Sequence, residues 1–325
     1  MLTSKQAAGV PEPPLPLNFQ SETIVWRPGE PGNSHPLSIL ILNNMWLERP
    51  LLSGHFVPDL NGAPHSGDCA LFTQSARYIV RNLFGELLGQ AEKLLADSPY
   101  ARKIRVTSMY VSGLGPSNAT SLVGETDFAD LIEPRRAFVP ALLQTLGVDP
   151  DVVFLVSNSA THRRASAYAA TDDDARGGIP FTCDGRLFHH RYYHRVPGMV
   201  AIHTTSNAMT AAHEFSHAFS SYTNGFVADL YVYGGLAFNR KAGRPIPPQF
   251  ARYRGVTYRS DTTSTALGHP PDALAYHPEP VDPGQPALMD NFFLSSAGVG
   301  SRHDGLTKRY LLDRVEAKAL RGERR

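Results

Sequence analysis

The chain has 325 residues, 42% of them hydrophobic and 19% charged, a balance that suits a folded globular protein and excludes a disordered one. Its net charge of +1 gives no electrostatic footprint for nucleic acid or for an anionic membrane surface. Two cysteines, Cys69 and Cys183, cannot build a disulfide framework or a cysteine-based zinc finger; one bridge or two buried thiols both stay open.

In chain order, residues 1–35 are polar and rich in proline (Pro11, Pro13, Pro14, Pro16), which predicts an extended arm outside the main domain. The first twenty residues lack the apolar core of a secretory signal, and no run of about 18 apolar residues follows anywhere. A cytoplasmic protein is the default expectation, and a mature secreted fragment would look the same. Residues 37–42 form a short apolar run, read as a buried strand. Over 71–95 the apolar residues Phe72, Ala76, Ile79, Val80, Leu83, Phe84, Leu87, Leu88, Ala91, Leu94 and Leu95 recur at spacings of three and four, which predicts one long core-facing helix. Strands are expected at 104–111 and 152–156, with a helix over 138–146 between them. This alternation predicts an α/β (α+β) fold built on a largely parallel sheet. From 168 to 205 the chain reads as irregular and antiparallel, closing on a strand at 199–205 taken as the sheet's edge. Asp172-Asp173-Asp174 reads as an exposed acidic turn rather than a calcium loop, and His189, His190 and His194 as a solvated polar segment rather than a second metal site.

The stretch with the most chemistry is His213-Glu214-Phe215-Ser216-His217, on a helix expected over 208–221 after loop and cap residues Thr205-Ser206-Asn207. Residues four apart on a helix lie above one another, so His213 and His217 can aim two imidazoles at one metal. Glu214 lies beside them, within reach of a water on that metal. Asp229 is the nearest candidate for a third ligand, with His277, Glu279, Asp290 and His303 as replacements. Three protein ligands leave a fourth zinc position open, which separates a catalytic site from a closed structural one. Glu214 is the expected general base. Tyr231 and Tyr233 are candidate donors to a developing oxyanion, as is His203. A long proline-rich connection over 239–286 leads to Ala287-Leu288-Met289, and residues 306–320 read as a closing amphipathic helix.

An HExxH helix beside an edge strand, on a mixed twisted sheet and followed by an Ala-Leu-Met turn, resembles the zincin metallopeptidases of the metzincin-like branch. In that branch a methionine-containing turn passes beneath the metal, and Met289 matches it. Within it, His213–His217 followed by Ala228-Asp229-Leu230-Tyr231 is similar to the immunoglobulin A protease-like family. That family shows a His-Glu-Phe-Gly-His start and an Ala-Asp-Glu-Tyr segment whose Asp is the third ligand. Ser216 stands where the family has glycine, and the interval from His217 to Asp229 is longer here. Residues 225–234 also resemble the Gly-to-Asp-to-Tyr-Gly segment of the aspzincins.

The resemblance spans roughly residues 37–320. It implies a single zincin-like domain over 36–325, divided into an upper part (about 36–224) and a lower part (about 225–325) with a Met-turn. It further implies one catalytic Zn2+ and a protein or peptide substrate, with neither nucleic acid nor membrane as partner. A zinc hydrolase of a non-peptide amide bond, or a non-catalytic binding protein of the same fold, are the alternatives; an intact Glu214 speaks against the second.

Overall fold

The computed structural model describes residues 19–33, 36–61, 67–127, 130–170, 196–207, 209–220, 227, 287–289 and 300–320, Leu306 by its backbone alone. It also describes the strand backbones at 179–183, 186–190, 231–233, 258–261 and 273–278. In chain order the first half contains β1 (Gln20–Pro28), β2 (Leu37–Asn43), β3 (Trp46–Glu48), β4 (Phe56–Pro58), α1 (Asp68–Leu83), β5 (Ile104–Ser112), β6 (Val123–Glu125), β7 (Ile132–Pro134), α2 (Val139–Thr145) and β8 (Val152–Ser157). There follow β9 (Ser166–Tyr168), β10 (Ile179–Cys183), β11 (Arg186–His190), β12 (Gly198–His203), α3 (Thr210–Phe219), β13 (Tyr231–Tyr233), β14 (Tyr258–Asp261), β15 (Ala273–Pro278) and α4 (Gly305–Ala319).

The centre is a six-stranded mixed sheet of order β1-β5-β2-β8-β12-β9. Its four inner strands run parallel, and β1 and β9 flank them antiparallel. Strands buried on both faces read as unbroken apolar runs, and Leu-Ser-Ile-Leu-Ile-Leu in β2 and Val-Val-Phe-Leu-Val in β8 are such runs. Alternate residues then part to two cores. Leu37, Ile39, Ile41, Val152, Phe154, Val156, Val200 and Ile202 face one core, shared with residues of α1, α3 and α4. Leu40, Leu42, Val153, Leu155, Met199 and Ala201 face the other, shared with α2 and with a small sheet of order β4-β3-β6-β7. The α/β expectation therefore holds as a mixed α/β architecture.

Two expected elements differ. The helix expected over 71–95 ends at Leu83, because Gly85 turns the chain at φ +67°, a left-handed conformation that favours glycine. A side chain at Gly85 would meet Lys93 Cγ at 2.4 Å and Glu92 O at 2.9 Å, so the chain folds back on itself there. Gln90 Nε2 closes this reversal by donating to Asn82 O at 2.7 Å and Glu92 O at 2.8 Å. Leu88, counted in the helical stripe, is 95% exposed. The strand expected as the sheet's edge, β12, is instead interior and wholly buried. It pairs with β8 on one side, and the edge position beyond it belongs to β9.

The other expected elements, at 37–42, 104–111, 138–146, 152–156, 208–221 and 306–320, fall within a residue or two of their expected ends, whereas β3, β4, β6, β7, β13, β14 and β15 are not among those expected. Gln20–Pro28, within the segment read as an arm, is the strand at the opposite edge of the sheet; residues 1–18 lie outside the described residues. Cys69 carries a free thiol whose pKa is raised, first by burial and then by the neighbouring Glu22. Asp172, Asp173, Asp174 and His194 lie outside the described residues, as do the side chains of His189 and His190. Among the described residues no helix is long and apolar enough to cross a membrane.

Candidate metal centre

Helix α3 carries the HExxH residues, and it is held at both ends by side chains from elsewhere in the fold. No side chain caps it at Met209. Instead Asn82, in the last turn of α1, accepts the backbone N–H of Ala212 at 2.8 Å, one of the donors that a helix start leaves without a partner. Asn207 Oδ1 adds a local brace, accepting from Thr210 Oγ1 at 2.8 Å. At the far end, Arg314 of α4 donates from Nε to Phe219 O at 2.6 Å. One side of α3 packs on the sheet through Ala211, Phe215, Ala218 and Phe219.

Thr210, His213, Glu214 and His217, at i, i+3, i+4 and i+7, form a single helical face and keep 8, 6, 8 and 8% of their surface in contact with solvent. Apart from Ala212, every other residue of the helix keeps 2% or less. His213, Glu214 and His217 therefore share a face of α3 that keeps a slight contact with solvent.

His213 Nδ1 stands 2.7 Å from Leu288 O, and His217 Nδ1 stands 2.7 Å from Val227 O. A carbonyl only accepts, so both Nδ1 atoms carry their protons and both Nε2 atoms present lone pairs when the rings are neutral. Those two Nε2 atoms are 3.3 Å apart, with the rings edge to face at 82°. Two lone pairs at that separation repel unless a proton or a cation lies between them. Two nitrogens each about 2.05 Å from one tetrahedral zinc stand about 3.3 Å apart, so the pair fits this ion. The arrangement in which the distal ring nitrogen is tied to a carbonyl is also the usual support of a metal-binding histidine.

Among the described residues, no group of three or more His, Cys, Asp and Glu could hold a metal ion. Asp229 lies outside the described residues, as do Asp290 and Glu279. Its neighbours bracket it: Val227, two residues before, touches His217, and β13 begins two residues after. Tyr231 and Tyr233 occupy alternate positions of β13, which pairs antiparallel with β15, and their side chains lie outside the described residues together with that of His277.

Two candidates are removed by their own hydrogen bonds. His203 Nδ1 accepts the Thr205 backbone N–H at 3.0 Å, which leaves Nε2–H to donate to Ser159 O at 2.9 Å. Burial lowers its pKa, so the ring is neutral with both nitrogens engaged, and it is not an oxyanion donor. His303 is engaged by Ser216 at 2.6 Å and by Glu92 at 2.9 Å, and is not a replacement ligand.

Met289 is fully buried in the core shared with α3, and Leu288 packs with Met209 and Ala212. The Leu288-Met289 segment thus packs against α3, and its contact with His213 is a backbone carbonyl. That carbonyl, Val227 O and Asn82 are the site's supports that no sequence motif marks. Comparisons with family models, with curated proteins and with solved structures found no match to the chain.

Proposed function

We propose that the chain is a zinc-dependent metallopeptidase of zincin-like fold, with His213, His217 and Asp229 as metal ligands and Glu214 as general base. The observation that carries this reading is the pair of Nε2 atoms 3.3 Å apart, with both Nδ1 atoms committed to backbone carbonyls. The contact of Val227 with His217 supports Asp229 as third ligand, since two residues of chain reach no more than about 7 Å. The Leu288-Met289 turn against His213, and an antiparallel edge strand beside the HExxH helix, support the zincin-like architecture.

A zinc ion held by His213, His217 and Asp229 would supply Lewis-acid chemistry, making water acidic enough to attack a carbonyl near neutral pH. Glu214, on the same accessible face as the histidines, takes the proton released as water adds to the peptide carbonyl. It then gives that proton to the leaving amine nitrogen, so that the scissile C–N bond breaks to a free amine. The hydroxyls of Tyr231 and Tyr233 are the candidates to steady the negative oxygen while both bonds exist. A peptide fits this site better than a compact amide, because β9 ends the sheet directly beside α3, where Ala170 N–H donates to Ala218 O at 3.1 Å. An extended peptide can add to such an edge by main-chain pairing.

Metal analysis combined with cleavage of a broad peptide library tests this. The wild-type chain should hold about one zinc per molecule, and Glu214→Gln should keep the metal while losing about 100-fold or more in cleavage rate. Asp229→Ala should weaken zinc binding. A chain with no stoichiometric metal, or a Glu214→Gln variant that cleaves like wild type, would overturn the proposal.

A further inference from the structure

On the buried side of α3, a second set of polar groups takes no part in the chemistry above. Ser216 is fully buried, and its Oγ donates to Ala212 O at 2.9 Å and stands 2.6 Å from His303 Nε2. His303 Nδ1 stands 2.9 Å from Glu92 Oε2, with the two side chains 0 and 1% exposed. That contact is an electrostatic one, off the line of a good hydrogen bond. Direction comes from the His303 backbone N–H, which donates to the same oxygen at 2.7 Å. Lys308 Nζ, 3.3 Å from Glu92 Oε1, completes the surroundings of the carboxylate. Burial is the largest single influence on Glu92 and acts to raise its pKa, but His303 and Lys308 together outweigh it and hold the group at about 2.

Ser216, His303 and Glu92 stand in the order of a nucleophilic triad. Ser216 is not a nucleophile: no part of it reaches solvent, and its proton is turned back to its own helix. With that proton given to Ala212 O, Ser216 accepts from His303 Nε2–H.

The same short segment also holds the turn beneath His213. Arg302 O accepts the Leu288 N–H at 2.7 Å, and Leu288 O receives His213 Nδ1 at 2.7 Å. A ring of contacts therefore closes from His213 through Leu288 to Arg302 and His303, on to Ser216, and back along α3 to His213.

We propose that Ser216, His303 and Glu92 are positioning residues for the metal-binding pair, fixing the rotation of α3 and the depth of the Leu288 turn together. This rests on the metal site proposed above. A site of this kind works only when its ligands are held to within about 0.5 Å, and the ring sets helix and turn by one fastening. Apolar groups of the same size often stabilise a fold as well as a complete buried polar chain does, so stability alone does not call for a polar chain here. Its use here is to aim His213 and His217.

The test uses the full chain as wild type, Ser216→Ala and His303→Gln. Three quantities are read: Zn2+ affinity in competition with a chromophoric chelator, the visible absorption of the Co2+-substituted protein, and the melting temperature of the metal-free protein. Ser216→Ala leaves the buried His303 Nε2–H without its acceptor, so the metal-free protein should melt a few degrees lower, as a loss of about 1–3 kcal/mol implies, and still be folded at the temperature of the zinc titration. It should bind Zn2+ about tenfold or more weakly and shift the cobalt bands. His303→Gln can place an amide N–H where Nε2 stood, and should stay within about threefold of wild type. Zinc affinity and cobalt bands unchanged in Ser216→Ala would sink the positioning role and leave the metal site standing. So would a His303→Gln variant as weak as Ser216→Ala. A wild-type chain that takes up no zinc removes the metal site itself, and this proposal with it.

Discussion

Asn82 serves α3 from 130 residues away in sequence, and its side chain is nearly inaccessible to solvent. A side-chain cap at a helix start contributes about 1 kcal/mol, up to about 2 in protein hosts, and Asn82 fills that role in place of Met209. Asn82→Ala should therefore lower unfolding free energy by about 1–2 kcal/mol in urea titrations, and a change below about 0.3 kcal/mol would show that Ala212 N–H finds another partner. His213 and His217 were legible because their relation is local: four residues apart on a helix is a contact that spacing alone guarantees. Asn82, His303 and Glu92 were not. Ser216 and His303 are 87 residues apart, and Glu92 and His303 are 211 apart. Neither pair belongs to any periodic pattern, and only the folded chain brings them together.

At the scale of elements, β2, β8 and β12 were readable because strands buried on both faces need continuous apolar runs. The overrun of α1 has the opposite cause. Leu87, Leu94 and Leu95 continue the helical spacing, yet Leu94 and Leu95 reach the core after the reversal at Gly85, so the stripe is one of burial and not of helix. The docking of α3 on the sheet turns on a single small residue. A side chain at Gly198, the first residue of β12, would lie 2.0 Å from Ala218 O and 2.5 Å from Ala218 C, backbone atoms that cannot swing aside. The same carbonyl accepts from Ala170, so the end of α3 is fastened between the start of β12 and the end of β9. Gly198→Ala should force α3 off the sheet at about 1–3 kcal/mol, read as a lowered urea midpoint. A variant as stable as wild type would mean that the helix end rides up without loss.

Across the whole molecule, the chain's first third and its last helix are joined through Glu92, which sits in the reversal after α1 and meets His303 and Lys308. Its folded pKa of about 2 lies below the ordinary 4.5, so the folded state binds this proton less readily than the unfolded chain does. The stabilisation is then complete above about pH 4.5 and is lost as pH falls towards 2, a contribution on the order of 3 kcal/mol. Asp59 acts with the opposite sign. Burial, its largest influence, carries it to about 6 against the hydrogen bonds from Ser157, Asn44 and Asn158. Its share of stability is therefore present at low pH and is lost as pH rises through about 6. A raw stability curve mixes the two, whereas the difference between wild type and Glu92→Gln cancels Asp59, which both carry. Urea unfolding of the metal-free proteins, with chelator present so that metal binding adds nothing to the folded state, should give a constant difference between pH 6 and about 4.5. That difference should shrink steadily down to about pH 2, where a protonated Glu92 has no more to offer than a glutamine. A difference that stays flat across the whole range would mean that Glu92 does not hold its two partners as a carboxylate.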